Sequence, residues 1–142
     1  MEILRWKTRI AVLWVFMAVA MSAHSLFVFM DPALIEEMMA ELEATGPGML
    51  VVMALFWLVP LWLAFVSMTV KDSCNRWTNF ILGIIFTIWS ILHLFQPCVG
   101  THIHQILIVG STVVVAALIA WYAWKWPKQE ARGRNEKRRN SL

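Results

Sequence analysis

The stretch Met49–Val70, MLVVMALFWLVPLWLAFVSMTV, contains no Asp, Glu, Lys or Arg. At a rise of 1.5 Å per residue, about 20 such residues cross a hydrocarbon layer of roughly 30 Å, so the segment reads as a membrane-spanning helix. Three further charge-free blocks flank it, Ile10–Met30, Trp77–Phe95 and Ile106–Trp124. Of the 142 residues 60% are hydrophobic and 15% charged, against roughly half and about a quarter in an ordinary soluble domain. The expected fold is all-α integral membrane: four transmembrane helices in an up-and-down bundle, with a short amphipathic outer helix between spans 1 and 2. Spans are expected at about 10–30, 49–70, 77–95 and 104–124 in a single domain, residues 1–126. Residues 127–142 are expected to form a basic, disordered cytoplasmic tail.

Charge sets the expected orientation. The twelve Lys and Arg fall in three places: Arg5, Lys7 and Arg9; Lys71 and Arg76; and seven from Lys125 to Arg139. The connections at 31–48 and 96–101 carry none. Basic flanks stay cytoplasmic, which places both termini inside. Trp6, Trp77, Trp121, Trp124 and Trp126 gather at the same inner boundary, where an indole buries its ring and keeps its N–H wet. The basic tail is therefore read as fixing topology and meeting anionic headgroups, and no nucleic-acid partner is expected. The basic start followed by Ala18-Val19-Ala20 also fits a cleavable signal, but apolar residues continue to Met30, so an uncleaved anchor in a plasma (inner) membrane is expected.

Between the first two spans, Asp31-Pro32 supplies an N-cap with proline at the first helical position, and Gly46-Pro47-Gly48 stops the helix. Ile35, Met38, Met39 and Leu42 recur at helical spacing opposite Glu36, Glu37, Glu41 and Glu43, predicting an outer amphipathic helix over about 32–45. The other two connections are short, so consecutive spans are expected as antiparallel neighbours. Pro60 falls in mid-span and removes one backbone hydrogen bond.

Small or weakly polar residues mark the faces expected to point inward. On the third span they are Asn79, Gly83, Thr87 and Ser90; on the first, Ala11, Ala18, Ser22 and Ser25; on the fourth, Gly110, Ala117 and Ala120. Such faces let helices approach closely in lipid, where packing and interhelical hydrogen bonds replace the hydrophobic drive. Asn79 most needs a partner, since an unsatisfied amide in hydrocarbon costs several kcal/mol.

The four histidines, His24, His93, His102 and His104, all fall in the outer third by this topology. His93 and His102 are expected to face the bundle axis, with His24 as a third ligand from the first span. His104, about 160° around the helix from His102, is the weakest candidate. Imidazoles on facing helices can hold haem b, zinc or copper, and Met21, Met30, Met49 and Met53 add thioethers suited to Cu(I). Cys74 and Cys98 fall on opposite sides and no CxxC occurs, which argues against a membrane thiol oxidoreductase. No span carries the embedded acidic residue that a small multidrug transporter uses. No nucleophile with a base, no paired carboxylates in the bundle and no phosphate loop are visible. The reading is a small polytopic inner-membrane protein, non-catalytic, acting as a binding or accessory subunit beside other membrane subunits or its own copies. A haem b or transition-metal redox protein and an oligomeric small-molecule transporter are the two alternatives.

Overall fold

The computed structural model describes residues 2–96, 99 and 102–127. It is all-helical over those residues: α1 (Glu2–Met30), α2 (Pro32–Thr45), α3 (Gly48–Thr69), α4 (Asp72–Leu94) and α5 (Ile103–Trp124). Helices α1, α3, α4 and α5 are each long and apolar enough to cross a membrane. Cys98 and the tail from residue 128 lie outside the described residues.

Helix ends and membrane edges differ where charge begins. Hydropathy places the first span at residue 10, yet α1 starts at Glu2, because Leu4, Arg5 and Lys7 are sound helix formers and a charged turn does not stop a helix. Likewise α4 starts at Asp72, whose carboxylate favours the positive end of the helix dipole. This turns Asn75, which the sequence places in a loop, into a buried helical residue. Helix α2 forms as its caps dictate: Asp31 Oδ1 accepts from Ala33 N at 3.1 Å, and Gly46 closes the other end at φ 78° while its N–H donates to Leu42 O. A side chain at that φ would be strained. Leu34 buries itself under α2 while Glu36, Glu37, Glu41 and Glu43 lie on its outer side.

The start of α1, the α3–α4 turn and the end of α5 meet at one end of the bundle. Lys7 Nζ lies 2.9 Å from Asp72 Oδ1 and donates to Val70 O at 2.9 Å. Trp6 meets Tyr122 edge to face at 5.3 Å between centroids, with the Arg9 guanidinium over both rings. This is the basic end; α2 and the histidines occupy the other, the histidine end.

The closest helix pairs are α1 with α3, α1 with α5, and α4 with α5. Helices α3 and α4, although consecutive, come less close. Bulky rings hold them off: Phe56 stacks on Phe86 at 5.3 Å and lies 5.3 Å from Trp89. Where α4 meets α5 the spacing is set by Gly83, since a Cβ there would lie 2.8 Å from Ala120 N. Gly110, expected to be equally tight, has nothing within 4 Å of its hypothetical Cβ. The buried stripe of α5 is instead Gln105, Val109, Thr112, Ala116, Ile119 and Ala123, with spacings of four and three, and Ala117 is exposed. The apolar core lies mostly toward the basic end, built on Ile10, Trp14, Met17, Leu63, Ala64, Phe86, Ala116, Ile119 and Ala123.

Candidate functional site

Two polar clusters occupy the interior, one in each half. Toward the basic end, Asn79 Oδ1 accepts from Trp14 Nε1 at 2.6 Å and from Ser67 Oγ at 3.1 Å. Its Nδ2 donates to Asn75 O at 2.8 Å and to Asn75 Oδ1. Asn75 Nδ2 donates in turn to Ser67 O at 2.7 Å. Asn75, Asn79 and Ser67 are fully buried. Every polar hydrogen and oxygen of the Asn79 side chain thus finds a partner, which is how an amide is tolerated in such surroundings. The cluster ties α1, α3 and α4 together. Farther along α4, Thr87 Oγ1 donates to Gly83 O at 2.6 Å, and Ser90 Oγ accepts from Thr112 Oγ1 of α5 at 3.2 Å. Asn79 and Ser90 are buried and Thr87 is half-buried.

At the histidine end, His24 of α1 and His93 of α4 meet nitrogen to nitrogen, with Nε2 atoms 3.2 Å apart and rings edge to face at 5.0 Å between centroids. His24 Nδ1 lies 2.5 Å from Gln105 Oε1, and Gln105 Nε2 donates to His24 O at 3.4 Å. His93 Nδ1 lies 2.7 Å from Gln96 Oε1. Three helices therefore contribute to this site.

His102 stands apart from that pair. Its Nε2 is 3.4 Å from Asp31 Oδ2, the carboxylate that also caps α2. The expectation that it faces the bundle axis assumed a helix through residue 102. Instead His102 is the N-cap residue of α5, with φ −113° and ψ 112°, so helical phase does not apply to it. The same break brings His102 and His104 to 5.8 Å between ring centroids rather than to opposite faces, and His104 also meets Phe27 at 5.6 Å. Among the described residues no three His, Cys, Asp or Glu side chains converge as a metal-binding group.

The pair is also too close for haem. Two nitrogens on opposite sides of an iron need roughly 4 Å at metal–imidazole bonds of about 2 Å, with a macrocycle in the plane between them. The chemistry available is that of two imidazoles facing one small space. Gln105, Asn75 and Trp14 are the participants that sequence reasoning missed. Their signal was polarity inside an otherwise apolar helix, which obliges a partner. Compared with protein families, with curated proteins and with solved structures, the chain finds no match.

Proposed function

We propose that this chain is a small polytopic protein of the plasma (inner) membrane, with both termini cytoplasmic, that serves as a non-catalytic binding or accessory subunit of a larger membrane assembly. The observation that carries this reading is the outer strip of α3. Val51, Leu55, Leu58, Trp62 and Phe65 recur at spacings of four and three and are all exposed on the isolated chain. That spacing makes the kind of seam into which a neighbouring helix interlocks. Trp62 lies seven residues from Thr69, roughly 10 Å inside the helix end, whereas tryptophan favours the interface. No hydrogen bond engages its indole N–H among the described residues. A polar hydrogen left bare in hydrocarbon is costly, and an acceptor on a partner helix removes that cost.

The orientation rests on the basic residues gathered at one end. Two open clefts, one along Leu42, Glu43, Gly46 and Pro47 and one between Phe27, Asp31, Pro32 and His104, lie at the histidine end. The test is the particle size of the full chain taken from its own membrane in native lipid discs. The wild type should travel as a complex larger than one 16.4 kDa chain, and Leu58→Ala with Trp62→Ala should release single chains. Single chains from the wild type would overturn the reading.

A further inference from the structure

We infer that His24 and His93 form a two-imidazole site for one transition-metal ion of tetrahedral preference, with Zn2+ the ion its dimensions fit. The inference goes beyond the subunit reading and stands or falls without it. It begins with the glutamines. Gln105 donates from Nε2 to the carbonyl of His24, which fixes its amide so that Oε1 is the atom facing His24 Nδ1. A carbonyl oxygen only accepts, so His24 carries its proton on Nδ1 and its Nε2 is a bare lone pair. Gln96 Oε1 is the atom placed 2.7 Å from His93 Nδ1, and with that amide orientation His93 Nε2 is left with a lone pair.

Two lone pairs 3.2 Å apart repel each other unless a proton or a metal ion lies between them. The separation selects which cation. At Zn–N bonds of 2.0–2.1 Å and a tetrahedral angle, two nitrogens on one zinc stand about 3.3–3.4 Å apart, whereas a linear two-coordinate ion such as Cu+ would hold them roughly 4 Å apart. The observed 3.2 Å is the tetrahedral bite within about 0.2 Å. The outer contacts agree with this assignment: histidines that bind metal donate their other ring N–H to an oxygen acceptor, which sets the tautomer and ring orientation. Here both do so, to Gln105 and to Gln96.

Among the described residues no third His, Cys, Asp or Glu converges on the pair, so the described side chains fill two of the four positions of a tetrahedral ion. Sites with open positions exchange ligands, while structural zinc sites are closed by four protein ligands. The site therefore takes up zinc reversibly at the histidine end and is not a staple of the fold, whose core lies toward the other end.

The test uses the full chain in lipid discs, equilibrated with Zn2+, freed of unbound metal and assayed for zinc per chain, with Co2+ as a spectroscopic substitute. The wild type should bind one Zn2+, and Co2+ should give the intense visible bands of a tetrahedral nitrogen site. His24→Gln and His93→Gln keep a polar side chain of similar reach but a poor metal ligand, and each should remove the ion. His104→Ala should leave it. Gln105→Leu should weaken it about 10–100-fold, as loss of an outer hydrogen bond does elsewhere. Circular dichroism and particle size without metal show which variants have folded, so loss of zinc in a folded variant is assigned to the ligand. Zinc uptake by the wild type only at concentrations where the His24→Gln, His93→Gln double variant also takes it up would overturn the proposal, and so would octahedral Co2+ spectra.

Discussion

Replacing Gly83 with leucine should drive α4 and α5 apart. A Cβ at Gly83 would lie 2.8 Å from Ala120 N, 3.0 Å from its Cα and 3.1 Å from its Cβ. Non-bonded heavy atoms rest about 3.5–4.0 Å apart, so one methyl group requires the helices to separate by roughly 0.7 Å at this crossing. The nearest atoms struck are backbone and cannot rotate away. Overpacking of this kind costs about 1–3 kcal/mol, while exchanging a mid-helix glycine for alanine returns about 1 kcal/mol of helix propensity. Gly83→Ala should therefore lose about 1 kcal/mol net, and Gly83→Leu about 3 kcal/mol or more, since propensity cannot offset the larger side chain. A Cβ at Gly110 would meet no atom of a neighbouring helix within 4 Å, so Gly110→Ala should be neutral or gain up to about 1 kcal/mol. Reversible unfolding by denaturing detergent in mixed micelles, followed by circular dichroism, measures all three. Wild-type stability for Gly83→Leu, or equal losses at the two glycines, would refute the assignment of the α4–α5 contact.

Asn79→Leu should destabilise the bundle by about 1–3 kcal/mol in the same assay, because the Trp14 and Ser67 donors and the Asn75 acceptors lose their partner. Adding Trp14→Phe should recover part of the loss; a further additive loss would show that the Trp14–Asn79 bond does not couple the helices. Lys7→Met should lose roughly 1 kcal/mol or less, most visibly at low salt, since it removes an ion pair with Asp72 and a bond to Val70 O at a partly exposed site. Topology is checked by cysteines placed at Glu37 and Ser141 in a chain whose native cysteines are replaced by serine. An impermeant thiol reagent should reach them from opposite faces of intact cells, and labelling from one face would end the both-termini-inside reading.

How much was legible in the sequence depends on which interaction decides each feature. The four long helices were readable because hydropathy over about 20 residues is a sum insensitive to any one position. Helix α2 was readable because Asp31-Pro32 and Gly46 act locally through capping and φ. Helix phase was readable on α4, where Asn79, Gly83 and Ser90 share one regular helix. It failed at His102, which lies one residue outside α5, and on α5 itself, where two neighbours bury more than one face and Ala116 lies inward in place of Ala117. Pairing was the least legible level. Nothing local says that His24 meets His93 across 69 positions, or that Gln105 reaches back 81 to orient it. Those contacts follow from which helices abut, and that is settled by side chains as small as Gly83 and as large as Phe56.

The same division of labour separates stability from binding. Near the basic end the interior holds both most of the apolar core and a polar cluster whose donors and acceptors answer one another, Trp14 and Ser67 to Asn79 and Asn79 to Asn75. Such a network resists change, since removing any member strands a buried polar atom. At the histidine end the two imidazoles are partly exposed and face each other through their Nε2 atoms at 3.2 Å. A partly exposed pair contributes less to folding than a fully buried network does. Variation at His24 and His93 should accordingly alter ligand uptake at nearly constant stability, whereas variation at Asn79 should alter stability first. Equal stability losses at His93 and Asn79 in the absence of metal would show that the two halves are one structural unit.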